Sequence, residues 1–108
     1  MEVGNIVKIR FKRSFKEQRL WIFIGKVIEC KDGWLKMNGT GILFNPGKTD
    51  PIDIDDEARI LYCPRESINH VRVLPDDFDL TEIKTLRKDN RWFVKVDGQP
   101  NTSLGEGM

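Results

Sequence analysis

Cysteine is scarce in this chain of 108 residues, with two, and histidine scarcer still, with one. Cys30, Cys63 and His70 are too few for a disulfide framework and fall in no zinc-ligand spacing, so reduced, buried thiols are the expectation. Long hydrophobic runs are missing as well. The most apolar stretch, Leu20 to Ile24, is far short of the roughly 20 residues that cross a bilayer as a helix. No charged start followed by an apolar core marks a signal peptide, and the expectation is a cytoplasmic protein without a membrane partner. Nor is charge of one sign in excess. A formal net charge of +1 provides no global field of the kind that holds nucleic acid nonspecifically, so any nucleic-acid binding has to be local.

What is present is the balance of a globular protein, 39% hydrophobic and 32% charged, at a length usual for one domain. The charge is unevenly placed. Lys8, Arg10, Lys12, Arg13, Lys16, Arg19, Lys26, Lys31 and Lys36 make the amino-terminal third basic, whereas Asp50, Asp53, Asp55, Asp56 and Glu57, and later Asp76, Asp77, Asp79 and Glu82, form acidic stretches beside prolines, as loops do.

From Ile6 to Lys12, apolar Val7, Ile9 and Phe11 alternate with Lys8, Arg10 and Lys12, the period of a strand with one buried face. After the polar stretch Ser14 to Gln18, Leu20 to Cys30 predicts a long second strand bent at Gly25. Lys31-Asp32-Gly33 is a tight turn, and Trp34 to Phe44 resumes as a third strand broken by Gly39 and Gly41. Asn45 to Glu57 is the longest connection and is expected to be a surface loop. Arg59 to Cys63 and Ile68 to Leu74 are short strands divided by Pro64-Arg65-Glu66-Ser67. Five short strands with one bent hairpin imply an all-β protein, a small closed or nearly closed barrel. Beyond Pro75, Thr81 to Arg87 and Arg91 to Val96 favour a charged hairpin over a short helix starting at Asp79. The expected organisation is a barrel over residues 1–78, an extension over 79–98 and a mobile tail over 99–108 with little to pack.

Two segments carry a resemblance. Gly25-Lys26-Val27-Ile28-Glu29-Cys30-Lys31-Asp32 is similar to the bent second strand and hairpin-turn aspartate of the Sm-like family of ring-forming barrels. Ile60-Leu61-Tyr62-Cys63, Pro64-Arg65-Glu66-Ser67-Ile68 and Val71-Arg72-Val73-Leu74-Pro75 resemble that family's fourth strand, arginine-containing turn and fifth strand, in the same order. The resemblance covers roughly Val3 to Pro75 and implies a strongly bent, SH3-like five-stranded barrel that assembles as a homo-oligomeric ring. It also implies an RNA-binding site. In the family, the turn aspartate, an apolar or aromatic residue and an asparagine hold a uracil base while the later arginine stacks on it. At the matching positions stand Asp32, Trp34, Leu35 and Arg65, with Lys31 alongside to supply charge. Trp34 can stack on any unpaired base. Leu35 has no base-reading group and Glu66 replaces the family's glycine, so the binding expected is of single-stranded RNA with low sequence specificity.

Each of these residues also has a plain structural role open to it. Trp34 can pack at a strand edge, Arg65 can pair with Glu66, and Asp32 before Gly33 is a turn former. Asp53, Asp55 and Glu57 lack the glycine bend and distal glutamate of a calcium loop, and His70 has no nucleophile or second histidine near it. Phosphate loops, nucleophile elbows and paired catalytic carboxylates do not occur, so neither an enzyme nor a cofactor is expected. The competing expectation is a ring-forming or SH3-like protein-interaction module that keeps the barrel without binding RNA, with its protein partner unknown.

Overall fold

A run such as Leu20 to Ile24, apolar without alternation, is the pattern of a strand covered on both faces. The computed structural model, which describes residues 1–13, 20–45 and 49–104, contains both covers. Its elements are β1 (Ile6–Phe11), β2 (Leu20–Lys31), β3 (Trp34–Phe44), β4 (Ile52–Ile54), β5 (Arg59–Pro64), a 3-10 turn (Arg65–Ser67), β6 (Ile68–Leu74), β7 (Thr85–Lys88), β8 (Arg91–Val94) and β9 (Thr102–Ser103). The protein is all-β: among the described residues there is no α-helix. The polar stretch Ser14 to Gln18, positions 46–48 of the long connection and positions 105–108 of the tail lie outside the described residues.

Strands β4, β3, β2, β1 and β6 follow one another in an antiparallel sheet, and β5 also pairs with β3. One edge of β3 therefore serves two strands in succession, Ile42–Phe44 pairing with β4 and Trp34–Gly39 with β5. That requires a bend, and the glycines supply it. Gly25 faces Gly39 across β2 and β3, where a Cβ on Gly25 would stand 2.6 Å from the Asn38 carbonyl oxygen and one on Gly39 would run into the Ile24 carbonyl. No side chain fits between backbones that close. A register shift at Ile28, between Val27 and Glu29, adds to the bend.

The bent sheet wraps an inner core of Val7, Ile9, Phe11, Phe23, Val27, Leu35, Met37 and Cys63. Its other face carries Ile6, Ile22, Ile24, Ile42 and Leu74, and on these pack Val94, Val96 and Leu104 from the carboxy-terminal part, with Phe78, Leu80, Ile83 and Trp92 around them. Ile22, Phe23 and Ile24 are all buried, alternately in one core and the other, which is why their run shows no alternation.

Four expectations change. The sheet has six strands, because Ile52–Ile54 within the expected surface loop pairs with β3. It is not closed into a barrel by hydrogen bonds: β5 pairs only with β3 and β6 only with β1 among the described residues. The tail is not free through residue 104. Thr102 and Ser103 pair with β8, and Leu104, the tail's apolar anchor, is fully buried, a burial worth about 2 kcal/mol. Finally, the alternating basic residues of β1 do not face water, since all six residues of β1 are buried, Lys8 and Arg10 included. The carboxy-terminal strands cover them, and Lys8 Nζ donates to the Ser103 carbonyl oxygen at 2.6 Å. The hairpin expected in the extension is present, with Lys88 opposite Arg91 and the two-residue turn formed by Asp89 (φ 52°) and Asn90 (φ 62°), both left-handed as such a turn requires.

Candidate functional site

The β2–β3 turn and the turn after β5 meet. Gly33, at φ 77°, closes the first, and its carbonyl oxygen accepts a hydrogen bond from the Arg65 backbone N–H at 2.9 Å. The Arg65 guanidinium lies against the Cys30 sulfur rather than pairing with Glu66. The two segments that carry the family resemblance are thus joined in space although 32 positions of sequence separate Gly33 from Arg65.

 The contact extends the β3–β5 ladder past its Trp34–Pro64 end.

Along that ladder Trp34 stands opposite Pro64, Lys36 opposite Tyr62 and Asn38 opposite Ile60. Directly opposed residues share a face of the sheet, so Trp34, Lys36, Tyr62 and Ile60 form one outward surface while Leu35, Met37 and Cys63 point into the inner core. Trp34 is 52% exposed and Tyr62 61%, large values for aromatic side chains that have a core available on the other face. Glu29, Lys31, Asp32, Trp34, Leu35, Lys36 and Tyr62 line an open groove of about 480 Å³ there. Within it the Lys36 ammonium sits over the Tyr62 ring, 5.3 Å from its centroid. Lys31 pairs with Glu29 at 3.0 Å, and the hydrogen bond to that carboxylate, with its charge, holds the lysine above its ordinary pKa. Both side chains are exposed, so the pair adds little to stability.

Of the site residues expected from sequence, the structure brings Lys31, Asp32 and Trp34 together at the groove and sets Arg65 at its end. Leu35 lines the groove as well, but its side chain is fully buried and belongs to the inner core, because it occupies the inward position of the alternation that turns Trp34 and Lys36 outward. Three groove residues, Glu29, Lys36 and Tyr62, were not among those expected. For Tyr62 the signal was present in the alternation of β5, where Ile60 and Tyr62 fall on one face, but alternation alone does not say which face meets water.

The basic residues of β1 are no part of this groove. Lys8 faces Arg72 and Arg10 faces His70 across the β1–β6 ladder, on the face covered by the carboxy-terminal strands. Burial, then the neighbouring charges of Arg10 and Arg72, lower the Lys8 pKa to about 8. His70 is likewise pushed down, by burial first and then by Lys8, Arg10 and Arg72.

Among the described residues no three of His, Cys, Asp and Glu converge as metal ligands. Cys30 and Cys63 both stand opposite Leu35, one on each side of it. Two strand spacings, roughly 9–10 Å, therefore separate them, too far for a disulfide. Burial raises the Cys63 thiol pKa, which makes it a weaker nucleophile at neutral pH.

An all-β fold with an open aromatic groove at the meeting of two turns is the class of protein that these observations define. No family model, curated protein or solved structure matches the chain.

Proposed function

We propose that the chain is an Sm-like small barrel protein that assembles through its sheet edges and binds single-stranded RNA, with low sequence specificity, in the Trp34–Tyr62 groove. One observation carries the reading: two exposed aromatic rings at neighbouring positions of one sheet face, with the cationic side chains Lys31 and Lys36 beside them. Stacking of an unpaired base on an aromatic ring is worth about 1–3 kcal/mol, and nearby cations add phosphate attraction that falls with salt. Lys36 has a defined part in this. Leaving the Tyr62 face frees both the ring for a base and the ammonium for a phosphate.

The Sm-like reading draws support from the strand order β5, β3, β2, β1, β6, the bend at Gly25 and Gly39, and the 3-10 turn that joins the two outermost strands. Assembly draws support from those same strands, whose outer edges lack a partner among the described residues and whose faces leave Ile60, Tyr62 and Val73 exposed. An unpaired edge is satisfied when β5 of one copy adds to β6 of the next, which generates a ring if the rotation closes.

Two measurements test the proposal. Light scattering at micromolar concentration is expected to show an oligomer, and a monomer removes the ring. Anisotropy titration with a fluorescent, unstructured oligoribonucleotide is expected to show binding that weakens steeply between low and physiological salt. The burial of Lys8 and Arg10, which takes two cations from any groove, favours one second reading, a protein-interaction module. Absence of RNA binding at low salt puts that reading first.

A further inference from the structure

Stacking does not choose among bases, since every base has a π-face; the choice falls to groups at the groove that meet a base edge. The groove holds two carboxylates. Glu29 is engaged by Lys31 at 3.0 Å. The Asp32 carboxylate, exposed beside Trp34, makes no hydrogen bond or ion pair among the described residues. Leu35, apolar and turned inward, offers no group to a base edge, so among the described residues Asp32 is the unengaged carboxylate next to the stacking ring.

A carboxylate is acceptor-only, with two oxygens side by side. Guanine alone among the RNA bases presents two adjacent donors on its Watson–Crick edge, N1–H and the N2 amino group, and these match both oxygens at once. Its O6 acceptor lies next to N1–H, on the side where an ammonium such as that of Lys31 is complementary. Uracil presents a single donor, N3–H, between two carbonyl oxygens, so a carboxylate that takes this proton sets its second oxygen against a carbonyl. Adenine and cytosine offer an amino donor beside a ring-nitrogen acceptor and meet the same conflict.

Resting on the RNA reading of the groove, we infer that Asp32 is a specificity-determining residue and that the groove selects guanine over uracil in single-stranded RNA. The carboxylate accepts from N1–H and N2–H while the base stacks on Trp34. Lys31 donates to O6, exchanging part of its pairing with Glu29 for that contact. The net preference for a lone guanine is modest because the groove is open to water, which competes for each of these hydrogen bonds.

The test uses the full chain and four heptaribonucleotides: uridine throughout, and the same chain with a central guanine, adenine or cytosine. A single guanine in a uridine background cannot form a quadruplex. Anisotropy at low salt is expected to show the guanine heptamer bound about tenfold more tightly than the uridine heptamer. In Asp32→Asn that ratio is expected to fall to near one, even where loss of the negative charge tightens binding of every heptamer. A variant with a merely structural defect lowers all four affinities together and leaves the ratio unchanged. Equal binding of the four by the native chain, or a preference for uridine, overturns the inference and leaves the RNA reading standing. No binding of any heptamer overturns both.

Discussion

β1 and β3 carry the same pattern and come to opposite ends. In each, basic side chains alternate with apolar ones: Lys8 and Arg10 with Val7, Ile9 and Phe11, and Lys36 with Leu35 and Met37. In each, the apolar set fills the inner core. The basic set of β1 is buried beneath the carboxy-terminal strands, whereas Lys36 lies in an open groove with Trp34 and Tyr62. Alternation fixes which residues share a face. What covers that face is decided by a segment far along the chain, here Leu104 and Ser103 for β1 and, among the described residues, no segment for the groove.

The largest expected effect lies on the covered side. Leu104→Ala is expected to cost about 2–4 kcal/mol, because the residue is fully buried in the core beside Ile24, Ile22 and Val94. A thermal or urea melt reads it directly. Trp34→Ala, with half of its surface already in water, is expected to change the same melt by no more than about 0.5 kcal/mol. Equal losses in the two variants would break the distinction between the faces.

Lys8 sharpens the comparison through pH. Its ammonium is disfavoured in the folded chain, with a pKa near about 8, and not in the unfolded chain, where the value is about 10.5. Between those values the unfolded chain holds more protons, so the Lys8 contribution makes stability rise with pH across that window and stay at its lowest below it. Lys8→Met is expected to remove this rise and to raise stability at pH 7, since the replacement is apolar and of similar length. Stability curves of native chain and variant that run parallel from pH 7 to pH 11 would contradict the burial of a charged Lys8. Lys36→Met, on the open face, is expected to produce no such difference.

Much of the fold was legible because local signals agreed with one another. The alternation of β1, the bend glycines Gly25 and Gly39 and the turn at Asp32-Gly33 each specify a conformation that few other sequences allow. The strand Ile52–Ile54 was hidden by prolines and carboxylates around it; only three residues long, it is held by pairing with Ile42–Phe44 rather than by its own propensity. The docked tail was hidden for a related reason. One leucine among polar residues carries no period, and its burial depends on a cleft built by strands elsewhere. Of the candidate site, Lys31, Asp32, Trp34 and Arg65 were legible from the two turns, the inward turn of the Leu35 side chain follows from the alternation of β3, and Tyr62 needed the β3–β5 register to bring it beside Trp34.

The smallest expected effect on stability is paired with the largest on binding, and it bears on the central claim. Trp21 and Trp34 are both exposed, at 42% and 52%, but Trp21 stacks on Phe11 away from the groove. Anisotropy titration of one guanine-containing heptaribonucleotide at low salt, against the native chain, Trp34→Ala and Trp21→Phe, separates the two positions. The groove account predicts that Trp34→Ala weakens binding by about 1–3 kcal/mol while Trp21→Phe leaves it within about twofold of the native chain. Binding unchanged in Trp34→Ala, or weakened equally in both variants, would contradict it.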